Sequence, residues 1–126
     1  MATLDDIRTI AAALPETREA QERSWRVRDR SLAWERPLRA ADRAALGDAA
    51  PEGEILGVRV ADVGVKEALL ADDPAVYFTT PHFDGYPAVL VRLAEITPGE
   101  LRELLRDAWL ARAPKRLAQA YLDEHP

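Results

Sequence analysis

The chain has 126 residues, 48% of them apolar and 31% charged, with 17 basic against 22 acidic side chains and a formal net charge of −5. That length supports one domain over residues 1–126, with a core that needs no staple; the absence of cysteine excludes a disulfide framework, a thiolate nucleophile and a Cys-ligated metal. The acidic balance excludes wrapping nucleic acid over the whole surface. No apolar run approaches the roughly 18 residues of a membrane span, and the chain opens on Met1-Ala2-Thr3-Leu4-Asp5-Asp6 with no basic leader, so the expected location is the cytoplasm.

In chain order, Thr3 with Asp6 reads as a capped helix start, and Leu4, Ile7, Ile10, Ala11 and Leu14 repeat at helical spacing up to Pro15. From Trp25 the period becomes two. Trp25 and Val27 alternate with Arg26 and Arg28, Asp29-Arg30 reads as a turn, and Leu32 and Trp34 alternate with Ala33 and Glu35 before Pro37. The pattern predicts a hairpin with one apolar and one charged face. A short helix over Arg39 to Leu46 and a loop through Gly53 precede a strand from Ile55 to Val60. Asp62 then caps a helix with Val65, Ala68 and Leu69 on one side. Strands follow over Val76–Thr80 and Ala88–Leu93, separated by the loop Pro81-His82-Phe83-Asp84-Gly85-Tyr86-Pro87. Thr97-Pro98-Gly99-Glu100 combines an N-cap, a first-turn proline and a capping-box acid, and Leu101, Leu104, Leu105, Ala108 and Trp109 make the strongest amphipathic helix. A last helix starts at Pro114, with Leu117, Ala118, Tyr121 and Leu122 inward. Strands clustered between terminal helices predict an α+β two-layer sandwich, an antiparallel sheet with helices packed on one face. Function is then sought on the other face.

Catalytic patterns are sparse. The six glycines form no phosphate-binding loop, Ser24 and Ser31 sit in no nucleophile elbow, and the acid pairs Asp5-Asp6, Asp72-Asp73 and Asp123-Glu124 are adjacent in sequence, so they do not face each other across a substrate. No catalytic residue, cofactor or metal is expected. His82 lies with Phe83, Asp84 and Tyr86 in one loop, a spacing that brings an imidazole, a carboxylate and a phenol to one surface. The simpler reading is that these side chains cap a Pro- and Gly-rich turn.

The charge distribution is uneven. Residues 18–43 hold eight arginines against five acids, a balance of +3, and the rest of the chain carries −8. Arg26 and Arg28, two residues apart on one strand face, would stand about 7 Å apart, which approximates the phosphate spacing of a nucleic-acid strand. Fifteen of the seventeen basic residues are arginine, so a solvated strand face with cross-strand ion pairs explains the same pattern.

The stretch Ser24-Trp25-Arg26-Val27-Arg28, the segment Leu56-Gly57-Val58-Arg59-Val60, the run from Thr79 to Val91 and the tail Ala108-Trp109-Leu110-Ala111-Arg112-Ala113-Pro114-Lys115 resemble the MmcQ/YjbR family in its actinobacterial form. The resemblance implies a CyaY-like, or frataxin-like, sandwich and no catalytic motif. It also implies DNA binding through a double-wing arrangement, which here falls on the basic hairpin. Two functions are therefore expected from different classes. The first is non-enzymatic binding of double-stranded DNA through Arg26, Arg28, Arg30, Arg36 and Arg39. The second is a protein- or small-ligand-binding module built on His82, Phe83, Asp84 and Tyr86, with Trp34 or Trp109 nearby. A third, acidic iron handling by analogy with frataxin-like folds, has only Asp5, Asp6 and Glu16 to draw on.

Overall fold

In the computed structural model, which describes residues 1–125, six strands form one antiparallel sheet in the order β1-β2-β3-β4-β6-β5. The strands are β1 (Thr17–Gln21), β2 (Ser24–Val27), β3 (Arg30–Glu35), β4 (Ile55–Arg59), β5 (Tyr77–Phe78) and β6 (Ala88–Arg92). The helices are α1 (Leu4–Ala12), α2 (Ala40–Leu46), α3 (Val63–Asp72), α4 (Pro98–Arg112) and α5 (Lys115–Glu124). The fold is α+β, as the element order predicts.

Helix α1 forms because the Thr3 hydroxyl accepts from the Asp6 amide while the Asp6 carboxylate accepts from the Thr3 amide, a reciprocal cap that satisfies two orphan donors. Thr97 caps α4 by accepting from the Glu100 amide at 3.1 Å. Helix α4 crosses β3 and β4 and packs on α1, burying Leu101, Leu104, Leu105, Ala108 and Trp109. Large apolar side chains buried in this way contribute about 1.5–3 kcal/mol each.

Strands β4 and β6 are buried on both sides, so their alternate residues serve two cores. Leu56, Val58, Val89 and Val91 face the main core with α1 and α4. Ile55, Ala88 and Leu90 join Phe78 and Phe83 in a smaller outer core, against which Trp34, Leu38 and Leu46 pack. Most helices lie on one face, as expected. The other face is not wholly bare, because α2 and a single 3-10 turn at Pro81–Phe83 cover part of it.

One strand is new and three local expectations change. Strand β1 has no apolar alternation, since its five residues are half-buried or exposed; it forms by pairing Thr17 with Val27 and Arg18 with Arg26 along the sheet edge. The β2–β3 turn falls on Arg28-Asp29, with Arg28 at φ 51°, instead of on Asp29-Arg30. Between those strands a bulge shifts the register from Arg26↔Ser31 to Trp25↔Ala33. Leu32 and Ala33 consequently both turn inward and Trp34 is thrown to the outer face. In α3 it is Lys66 that is buried, whereas Val65 is exposed.

Candidate functional site

The bulge in β3 and the loop before β6 together build an open groove of about 860 Å³ on the outer face. One wall is the segment from Glu35 to Arg39; the other is His82, Phe83, Asp84 and Tyr86, and Ser31 and Trp34 rise from β3 between them. The aromatic rings run side by side. Trp34 lies 6.3 Å from Phe83, Phe83 stands 6.4 Å from Tyr86, and His82 meets Phe83 edge-on at 4.8 Å, all between ring centroids. Trp34 can lie flat against β4 because its neighbour there is Gly57: a Cβ at Gly57 would stand 2.6 Å from the indole.

Both walls are pinned by buried charge. The Arg36 guanidinium, 6% exposed, donates to the Asp42 carboxylate at 3.0 Å and to the Pro37 carbonyl, and lies 5.4 Å from the Phe83 ring. The Arg39 amide also donates to Asp42, at 2.9 Å; that bond, with the nearby Arg36 charge, holds the Asp42 carboxyl below the usual carboxylate range against the opposing effect of burial. On the other wall Lys66 donates to the carbonyls of Phe83 (2.6 Å) and Tyr86 (3.1 Å). Burial pushes the Lys66 ammonium below the ordinary lysine value, partly opposed by Asp84. The loop thus carries its turn residues on a lysine clamp, while His82, Asp84 and Tyr86 face solvent.

The five arginines expected to contact DNA do not form one wing. Arg28 sits in the turn and bends back to Glu16, its Nε 2.8 Å from the carboxylate, so it does not share a strand face with Arg26. Arg36 is buried in its pair with Asp42 and is closed to an outside phosphate. Arg30 Nη1 is spent on the Arg112 carbonyl at the end of α4, and Arg26 Nη1 on the Asp29 carbonyl. Arg39 alone stands on the groove rim with its guanidinium free of any protein partner among the described residues. The structure instead unites Arg36 and Arg39 with His82, Phe83, Asp84 and Tyr86, residues that belong to two different expectations. Of the two tryptophans, Trp34 joins them. Trp109 lies in the main core, its Nε1 donating to the Pro15 carbonyl at 3.1 Å.

Sequence reasoning missed Arg18, Lys66 and Gly57. Arg18 lies directly opposite Arg26 in the edge pairing. The sequence offered no signal for Lys66 beyond its being one of only two lysines. The acids of α1 are occupied locally, Asp6 in the cap and Asp5 with Arg8, and Glu16 is paired with Arg28. Among the described residues no group of three or more His, Cys, Asp or Glu side chains could hold a metal ion, and no helix is long and apolar enough to cross a membrane.

Known proteins give the same picture of the fold. A crystal structure of the Deinococcus radiodurans protein DR2400, a DUF419 domain, superposes with a TM-score of 0.61 over 87% of this chain and 78% of that one, at 22% identity. Uncharacterised proteins of Mycobacterium bovis and Mycobacterium tuberculosis are 61% identical to this chain over 125 residues, covering 97% of both. The YjbR family model matches residues 12–111, the span that contains the whole sheet, the groove and all of α4 but its last residue, and the chain belongs to the YjbR family.

Proposed function

We propose that this protein is a non-enzymatic binding module whose outer-face groove takes a small, flat organic ligand. The observation that carries the reading is the row of Trp34, Phe83 and Tyr86 rings along a groove of about 860 Å³, a volume suited to one small molecule. Aromatic faces at this spacing favour a planar partner. The neutralised pairs Arg36–Asp42 and Arg23–Glu35 leave Arg39, His82 and Asp84 as the exposed polar groups that would orient it. The test is thermal stabilisation against a panel of planar metabolites, followed by Trp fluorescence, because Trp25 and Trp109 are buried and Trp34 is the indole that a groove ligand would touch. A ligand at 100 times its Kd adds about 2.7 kcal/mol. His82→Ala and Arg39→Ala should weaken it without lowering the melting temperature. No stabilisation across the panel, or a hit whose affinity both substitutions leave unchanged, sinks the proposal.

A second reading is favoured by one observation: Arg18 and Arg26 stand directly opposite each other on the outer face with no carboxylate partner among the described residues. Two like charges side by side destabilise a sheet edge unless an anion compensates them. Duplex DNA contacted through these two residues would bind with a salt slope of about −1.8. Fluorescence anisotropy on duplex DNA measures this, and absence of binding by micromolar protein at 50 mM salt removes the reading.

A further inference from the structure

Beside the groove residues Ser31 and Tyr86 stand three arginines from three different elements, none of which lines the groove itself; Arg30 borders a neighbouring depression with the end of α4 and the start of α5. Arg59 closes β4, Arg112 closes α4 and Arg30 opens β3. Arg59 Nη1 donates to the Tyr86 hydroxyl at 2.9 Å, and its guanidinium carbon lies 4.8 Å from the Tyr86 ring centroid. Arg112 Nε donates to the Ser31 carbonyl at 3.0 Å, and Arg30 Nη1 donates to the Arg112 carbonyl, also at 3.0 Å. One bond from each side chain therefore fixes the corner. Their other guanidinium N–H groups have no protein acceptor among the described residues, and Arg59 Nε is buried without a partner.

The charges are uncompensated as well. None of the three arginines has a carboxylate within 4.0 Å among the described residues, although the chain carries 22 acids. After burial, the charges of Arg59 and Arg30 lower the proton affinity of Arg112. The negative end of the α4 dipole accounts for cations at a helix C-terminus. It does not account for Arg59, which arrives from the sheet.

We infer that this corner is a seat for the phosphate of a phosphomonoester, held by Arg59, Arg112 and Arg30, and that the flat body of the same ligand lies in the groove against Trp34 and Phe83. The placement of the flat body rests on the groove reading above; the anion seat does not. A phosphomonoester carries −1.5 to −2 charges near neutral pH, and its three terminal oxygens can engage several guanidinium forks at once. A carboxylate has a single charge and is satisfied by one fork.

Isothermal titration calorimetry on the full chain at constant ionic strength tests the seat, with inorganic phosphate, adenosine and adenosine 5′-monophosphate as probes. Phosphate alone should bind saturably, and Arg30→Gln and Arg59→Gln should each weaken it about tenfold or more. Arg30 is exposed, so its variant keeps the fold and serves as the control for any loss of stability in Arg59→Gln. The monophosphate should bind more tightly than phosphate or adenosine alone. Adenosine binding without phosphate binding overturns the seat and leaves the groove reading standing. Phosphate binding that neither variant weakens also overturns it, as does the absence of saturable phosphate binding to the wild type. Phosphate binding lost in both variants, with no gain from the adenosine ring, supports the seat and overturns the shared ligand.

Discussion

At the scale of single residues, Trp34 and Gly57 form one unit. The indole packs into the space where a Cβ of residue 57 would be, at 2.6 Å from ring carbon Cε2, a separation that non-bonded carbons do not tolerate. Gly57→Ala must therefore push Trp34 off the sheet, and because the indole also packs on the outer core it cannot swing away freely. The expected cost is about 1–3 kcal/mol, typical of overpacking. Chemical denaturation and Trp fluorescence measure it; a variant with the wild-type midpoint and emission would mean that the indole does not need this glycine. The sequence held both residues in plain view. It did not hold their contact, because alternation along β3 placed Trp34 with Leu32 on the apolar face until the bulge reversed it.

At the scale of elements, the loop between β5 and β6 depends on α3. Lys66 spans from the helix to two loop carbonyls, and a buried ammonium costs solvation free energy that these bonds and Asp84 only partly return. Lys66→Met keeps the volume, removes that cost and leaves the Phe83 and Tyr86 carbonyls with only their backbone donors, the Tyr86 and Ala88 amides. Losing the partner costs about 1–3 kcal/mol, offset globally by relief from desolvation, so the expected effect is local. Amide exchange should accelerate from Phe83 to Tyr86 while the global melting temperature shifts little. Unchanged protection in that loop would show that the clamp is dispensable. The helix itself was legible from its Asp62 cap, whose carboxylate accepts from the Val65 amide at 2.9 Å. Its inward face was not, since a lysine reads as solvated unless a partner across the fold is known.

Across the whole molecule, the −5 net charge conceals carboxylates committed to arginines. Glu16 is lowered chiefly by its hydrogen bond from Arg28, Glu19 by that from Arg8, and Asp42 by the Arg39 amide and then, against the cost of burial, by Arg36. A carboxyl whose folded pKa lies below its unfolded value stabilises the fold above the unfolded value, and that contribution disappears as pH falls through the folded one. With ordinary values of 4.5 for Glu and 3.8 for Asp, the melting temperature should hold at neutral pH and decline from about pH 4.5 downward. The exposed pairs contribute little to that decline. Asp42→Asn should reduce the acid slope and cost about 3 kcal/mol at neutral pH, because it leaves the Arg36 guanidinium buried and unpaired. Thermal melts from pH 3 to 7 compare the two proteins; parallel curves would place the acid sensitivity elsewhere.

The sequence by itself determined the helices with their caps, the central strands and the existence of an aromatic, histidine-bearing loop, because caps, turns and hydrophobic periods act between residues a few positions apart. It also isolated the region of excess arginine. What those arginines do was decided by tertiary structure. Arg28 meets Glu16 across 12 positions and Arg30 meets the end of α4 across 82, and the edge strand that supports β2 has no apolar pattern of its own. A charged side chain takes the nearest partner in space, and spatial nearness across a sheet is fixed by strand order and by one bulged residue. Neither is written in the local spacing of the chain.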